Sequence, residues 1–179
     1  MTSDHLGNIF VTGDFTGTLN MGAYTLADTF AVTNDIFIAK YNSSGTTLWA
    51  KSGLGASSFD FGKNVKTDIS GNIYCSGYYK SNSINFGGVN LNNVTTSTFF
   101  QYYDMFLVKY NSSGTVIWAK SIGGNDDDVA TGLSVDIEGK IYQTGFFHSP
   151  SITLGTTTFN NTGSGLSSDI FLTKYDSLG

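Results

Sequence analysis

Short apolar stretches recur along this chain, and the same punctuation separates them: an Asp or Asn followed three residues later by Gly. Ile36 and Ile38 alternate with Phe37, Ala39 and Tyr41, so this stretch is apolar on both faces. A lone antiparallel sheet wets one face, whereas sheets stacked face to face bury both. No window sustains a 3.6-residue period, which excludes helical repeats. The Asx/Gly pairs fall at Asp4/Gly7, Asn42/Gly45, Asp68/Gly71, Asn111/Gly114, Asp136/Gly139 and Asp176/Gly179. The Asx side chain accepts backbone N–H groups at the start of a hairpin turn, and the glycine supplies the positive φ that ends it in a bulge.

The stretches repeat with a period of 64 to 69 residues. The run from Asp35 to Ser52 returns from Asp104 to Ser121 and again, shortened, from Asp169 to Gly179. A second block, Asp4 to Gly13, returns as Asp68 to Gly77 and Asp136 to Gly145. Each repeat therefore predicts four strands: A (Gly62 to Thr67, Ala130 to Val135), B (Asn8 to Gly13, Asn72 to Gly77, Lys140 to Gly145), C (Asp35 to Tyr41, Asp104 to Tyr110, Asp169 to Tyr175) and D (Thr46 to Ser52, Thr115 to Ser121). Tight turns join A to B and C to D. The longer B-to-C links each carry a small apolar pattern, Leu19 to Leu26, Ile84 to Leu91 and Ile152 to Phe159, that predicts an extra hairpin.

The fold this predicts is all-β: antiparallel four-stranded blades of a β-propeller, about three of them, with approximate repeats 1–61, 62–129 and 130–179. A β-solenoid would repeat over a shorter coil, and an immunoglobulin-like sandwich would not repeat its hairpins three times. The order of predicted strands is BCD, ABCD, ABC, and propellers have about four to eight blades. The expectation is an incomplete ring, completed by further blades from flanking chain or by self-association, two copies giving six blades.

Composition narrows the partners. The chain has 179 residues with 22 glycines, one proline and 15 % aromatic residues, as short strands and tight turns require. A net charge of −5, with nine lysines and no basic cluster, argues against nucleic acid and against an anionic membrane surface. No run approaches the length of a membrane-inserting helix, and Met1 to His5 does not read as a signal peptide. Cys75 is the single cysteine, so no internal disulfide is possible, and it reads as a small buried apolar residue.

The repeated blocks resemble the bacterial β-propeller repeat family known as SBBP. The resemblance is carried by Gly71-Asn72-Ile73-Tyr74, Asp104 to Lys109, Trp118, Gly123-Gly124 and Asp128-Val129-Ala130, and it spans essentially the whole chain. Departures are Lys140 in place of the turn asparagine, Gly53-Leu54-Gly55 in place of the double glycine, and Asp60-Phe61-Gly62 in place of the Asp-Val-Ala step. The resemblance implies a repeat scaffold in secreted or surface-displayed proteins and no common reaction. The turn segment Asn-Ser-Ser-Gly-Thr-x-x-Trp also has some likeness to the Asp-box of sialidase-like propellers, although Ser43 and Ser112 stand where that motif has Asp.

Candidate chemistry is sparse. The densest acidic spot, Gly123 to Asp128, offers Asp126 and Asp127 as calcium candidates without the alternating spacing of an EF-hand loop. Asp60 and Asp128 each precede a turn aspartate by eight residues, which favours a structural hydrogen-bonding role. Trp49 and Trp118 occupy identical strand D positions and, with Phe37, Phe106 and Phe171, read as packing between blades; a sugar-stacking platform is the rival reading. His5 and His148 lie at non-equivalent points, and Glu138, the sole glutamate, sits in a turn, so neither a nucleophile–His pair nor a glycosidase pair is evident. Asn42, Asn93, Asn111 and Asn160 begin sequons, two of which already serve turns. The expected role is a non-enzymatic scaffold outside the cell, with no cofactor, presenting its B-to-C insertions to a protein or glycan partner. Its alternatives are a glycan-binding lectin-like propeller and a supporting segment of a larger enzyme.

Overall fold

The computed structural model describes residues 1–28, 30, 33–55, 58–95, 100–163 and 167–179. Ala56 and Ser57, within the segment that parallels Gly123 to Asp128, lie outside the described residues, as do parts of all three B-to-C links. Among the described residues the regular elements are all strands: β1 (Thr2–Ser3), β2 (Ile9–Phe15), β3 (Thr18–Met21), β4 (Tyr24–Ala27), β5 (Asp35–Tyr41), β6 (Thr47–Gly55), β7 (Asp60–Thr67), β8 (Ile73–Tyr79), β9 (Ser83–Phe86), β10 (Val89–Asn92), β11 (Asp104–Tyr110), β12 (Val116–Ile122), β13 (Asp128–Val135), β14 (Ile141–Phe147), β15 (Ser151–Leu154), β16 (Thr157–Asn160) and β17 (Asp169–Tyr175). No helix among the described residues is long and apolar enough to cross a membrane.

In each repeat the A, B and C strands, joined in the first two by strand D, form one antiparallel sheet, while hairpins β3–β4 and β15–β16 stand as two-stranded sheets. The middle one has the order β12-β11-β8-β7, which is D-C-B-A. The third carries β13-β14-β17, and the first begins β1-β2-β5-β6. The turn at Asp4 was expected to open the chain without a strand A. Instead Thr2 and Ser3 pair with Phe10 and Ile9, because the Asp4 turn closes onto a partner strand as its two counterparts do.

The sheets stack as wedges. Innermost strands β1, β7 and β13 adjoin one another in succession, and β7 also packs on β2 and β5 of the first sheet. At the outer edge, hairpin β9–β10 lies between β6 and β12: β9 pairs with β6 through Gly53↔Phe86 and Gly55↔Ile84, while β10 packs on β12. This pairing makes the first sheet six-stranded and extends β6 three residues past the predicted end at Ser52. Gly53 is required there, since a Cβ would lie 2.3 Å from the Phe86 ring.

The apolar core lies between sheets rather than within one. Between the first and second sheets it contains Phe10, Ile36, Ile38 and Trp49 on one side and Val65, Cys75, Phe106 and Tyr110 on the other. Between the second and third it contains Met105, Leu107, Ile122 and Tyr74 facing Ala130, Leu133, Ile141 and Phe171. Two-sided burial on the middle sheet explains why β11 is buried along its whole length.

Candidate functional site

The turns place the Asx and Gly residues as local chemistry dictates. Gly7, Gly45, Gly71, Gly114, Gly139 and Gly179 have φ between 76° and 94°. The Asp68 carboxylate accepts from the Asn72 N–H and side-chain amide and from the Tyr74 hydroxyl, at 2.9, 2.8 and 2.9 Å. Asp4 holds Asn8 in the same way, whereas Lys140 leaves Asp136 with backbone N–H groups and the Tyr142 hydroxyl. Asn42 and Asn111 each accept two backbone N–H groups of their own turns. Glu138 is exposed in the Asp136 turn, and Asn93 bonds the Tyr102 carbonyl at 2.8 Å.

These turns are also the clasp between repeats. The Trp49 indole Nε1 donates to the Ser112 carbonyl at 3.2 Å, and Trp118 repeats the contact on Ser177 at 3.4 Å. The Lys40 and Lys109 ammonium groups reach the same two carbonyls, at 3.4 and 2.7 Å. Trp49 lies against Gly114 so closely that a Cβ there would sit 3.0 Å from the ring. Phe106 and Phe171 are buried between sheets, but Phe37, at the equivalent position, is half-buried and packs edge-on to Phe15 in its own sheet. Phe37 lies on the face of the first sheet turned away from the second, where no further sheet covers it among the described residues.

At one end of the sheets lie buried carboxylates. Asp60 accepts from the Lys80 and Ser81 N–H groups and from Ser81 Oγ at 2.7 Å; Asp128 accepts from Ser149 Oγ at 2.8 Å. Asp35 accepts the Gly55 N–H at 2.9 Å, and Asp104 the Val94 N–H at 2.7 Å. Asp35 Oδ2 and Asp104 Oδ1 are buried without a hydrogen-bond partner. Burial pushes the carboxyls up, Asp35 and Asp128 to about 6 and Asp104 to about 7, and Asp60 shifts the same way. Asp35 and Asp104 were given no role by sequence reading; the signal available was an Asp at the start of strand C in all three repeats.

Asp126 and Asp127 are used by the backbone. Asp127 accepts the Tyr103 N–H at 2.9 Å, Asp126 accepts the Asp127 N–H at 2.8 Å, and among the described residues no three His, Cys, Asp or Glu side chains converge on a metal-sized site. His148 sits against the Asp127 carbonyl and the Phe146 ring, and His5 is exposed. The Cys75 thiol, buried against Thr12, is pushed up to about 12 by that burial.

The clefts formed by the described residues include two that could hold a ligand. An open cleft of about 470 Å³ between the second and third sheets is lined by Lys63, Asn64, Tyr78, Val129, Thr131 and Phe146. Beside it Phe61, Tyr78 and Tyr103 pack ring on ring, with Lys63 and Lys80 over their faces. A cleft of about 290 Å³ at the outer edge is lined by Leu26, Lys51, Leu54, Asn85, Tyr110 and Val116, from hairpins, D strands and the end of β11.

No family model matches the chain. The chain is similar to a WD-repeat protein. That relative, an uncharacterized WD repeat-containing protein of Acanthamoeba polyphaga mimivirus, is 29 % identical over 175 residues, covering 82 % of this chain and 12 % of the relative. The chain thus spans about an eighth of the relative's length. The likeness suggests a β-propeller-like repeat, and the antiparallel sheets stacked in chain order are consistent with it.

Proposed function

We propose that the chain is a run of β-propeller blades, with repeats at approximately 1–61, 62–129 and 130–179, acting as a non-enzymatic scaffold for protein interaction. The observation that carries this is the division of labour in the fold. Conserved-geometry contacts, Trp49 and Lys40 on Ser112 and Trp118 and Lys109 on Ser177, tie sheet to sheet, while the hairpins β3–β4, β9–β10 and β15–β16 differ in sequence from repeat to repeat. Recognition surfaces belong on variable segments carried by a rigid frame. The relative named for its WD repeats supports the scaffold class. The finer assignment, a secreted or surface-displayed bacterial protein of the SBBP type, rests on the resemblance of the repeated blocks.

Thermal unfolding of two kinds of variant tests the reading. Asn90→Ser and Thr158→Ala, exposed on the hairpins, are expected to change stability by less than about 0.5 kcal/mol. Trp49→Ala is expected to lower it by about 3 kcal/mol. Hairpin variants as damaging as the tryptophan variant would overturn a tolerant rim on a rigid core.

The cluster of Phe61, Tyr78 and Tyr103 favours one second reading, glycan binding by ring stacking beside Lys63 and Asn64. On that reading a glycan array gives binding that Tyr78→Ala abolishes, and an array without binding removes it.

A further inference from the structure

The cleft between the second and third sheets carries side chains that the repeat itself does not call for. Near the end of strand B the second repeat has Tyr78 where the first has Asp14, and just before strand C it has Tyr103 where the first has Asn34. In the first repeat this pair is polar and closes on itself, Asn34 Nδ2 donating to the Asp14 carboxylate at 2.7 Å. In the second, Tyr78 and Tyr103 meet edge to face with ring centres 5.1 Å apart, and the Phe61 ring lies 5.2 Å from Tyr78. A hydrogen-bonded pair serves the scaffold at one junction, so rings at the other are no requirement of the repeat.

The walls of the cleft are β7 and β8 on one side and β13 on the other, from sheets that pack on each other within the chain. Its volume of about 470 Å³ lies inside the roughly 300–1,000 Å³ range of small-molecule sites. Three kinds of contact group line it. Tyr78 offers a half-buried ring. Asn64 Nδ2 is buried without a hydrogen-bond partner, and the Thr131 hydroxyl donates to the Thr144 carbonyl at 3.5 Å while its lone pairs remain for a donor. Lys63 is the one charged residue in the lining among the described residues, its ammonium 4.5 Å from the centre of the Phe61 ring and 5.3 Å from that of Tyr78. An ammonium drawn onto ring faces still has N–H donors for an anion.

A ring with a C–H face, hydroxyls on its edge and a carboxylate answers all three. We infer that the cleft takes a uronic-acid residue of an acidic glycan, its ring on Tyr78, its hydroxyls on Asn64 and Thr131 and its carboxylate on Lys63. The inference rests on the glycan reading of this cleft given above and names the class of sugar. A neutral sugar leaves Lys63 without a counter-ion, whereas a simple carboxylate leaves the Tyr78 ring and the Asn64 amide unused. The bond from ammonium to carboxylate is charge-assisted, which makes it the stronger part of the discrimination.

Ligand-observed saturation-transfer NMR on the whole protein, titrated with glucuronate, glucose and acetate, tests it. Glucuronate is expected to bind at least about fivefold more tightly than glucose, and acetate more weakly than either. Lys63→Gln is expected to bring glucuronate down to the level of glucose, and Thr131→Glu, which sets a carboxylate on the facing wall, to abolish glucuronate binding. Both positions are exposed, and an unchanged far-UV circular dichroism spectrum shows that the fold is kept. Equal binding of glucuronate and glucose, or a preference that survives Lys63→Gln, overturns the inference and leaves the glycan reading standing. Acetate binding as tightly as glucuronate also overturns it, since the cleft is then an anion site alone. Binding of neither sugar overturns both readings.

Discussion

The Trp49 indole donates to the Ser112 carbonyl at 3.2 Å while its ring lies on Gly114, so one side chain both packs and pins the next repeat's turn. Trp49→Phe keeps most of the ring contact and removes the donor. It is expected to cost about 1 kcal/mol, the worth of one hydrogen bond, in chemical denaturation. An unchanged midpoint would show that the indole N–H contributes nothing to the clasp.

Gly45 and Gly114 separate backbone strain from crowding. Both have positive φ, 81° and 79°, but a Cβ on Gly45 meets nothing within 4 Å whereas one on Gly114 meets the Trp49 ring at 3.0 Å. Gly45→Val is expected to cost on the order of 1–2 kcal/mol through the left-handed conformation alone. Gly114→Val is expected to cost more, because Trp49 must shift, and equal effects in urea titrations would contradict the clasp geometry.

The buried carboxylates set a pH dependence. Asp35, Asp104 and Asp128 have folded-state pKa values raised to about 6, 7 and 6 by burial, with Asp60 and Asp28 adding to the rise at Asp35 and Asp128 to that at Asp104. The folded state therefore binds more protons than the unfolded state between about pH 4 and 7. Stability from these groups is present at low pH and is lost as pH rises through 6 to 7. The melting temperature is expected to fall between pH 5 and pH 8. Asp104→Asn is expected to flatten that fall and to stabilise the chain at pH 8 by on the order of 1–3 kcal/mol. Melting that rises with pH over this window would contradict the burial.

Cys75 is expected to be inert while the chain is folded. It is fully buried and its pKa is pushed up to about 12, so almost no thiolate exists near neutrality. A colourimetric thiol reagent should react only on addition of denaturant, at the rate of unfolding. Prompt reaction in native buffer would place Cys75 elsewhere than between the first two sheets.

What could be read from the sequence follows the range of the interactions. The Asn42/Gly45 and Asp68/Gly71 turns are closed by bonds spanning four residues or fewer, so their residue types announce them. The hairpin at Ile84 to Leu91 was equally visible, since its alternation and its glycines are local. Its pairing with β6 is not legible, because Gly53-Leu54-Gly55 reads as a broken motif, and only the fold brings Phe86 into the space a side chain at Gly53 would fill. Phe37 reads like Phe106 and Phe171, yet among the described residues no second sheet packs on its face, and burial is a property of neighbours. Asp35 and Asp104 escaped notice for a related reason: a carboxylate is conspicuous in a sequence only when others cluster near it, and their surroundings come from Gly55, Asp60 and Asp128, distant in the chain or on another sheet.

The wedge arrangement of the sheets is the central claim, and electron–electron distances between paired spin labels test it most directly. Lys63 on β7 and Thr131 on β13 are equivalent exposed positions on the A strands; Leu48 on β6 and Ile117 on β12 are equivalent exposed positions on the D strands. With β7 and β13 in contact and hairpin β9–β10 holding β6 and β12 apart, the Leu48–Ile117 distance is predicted to be clearly the longer of the two. Equal distances near the roughly 10 Å spacing of sheets stacked in parallel would contradict the account.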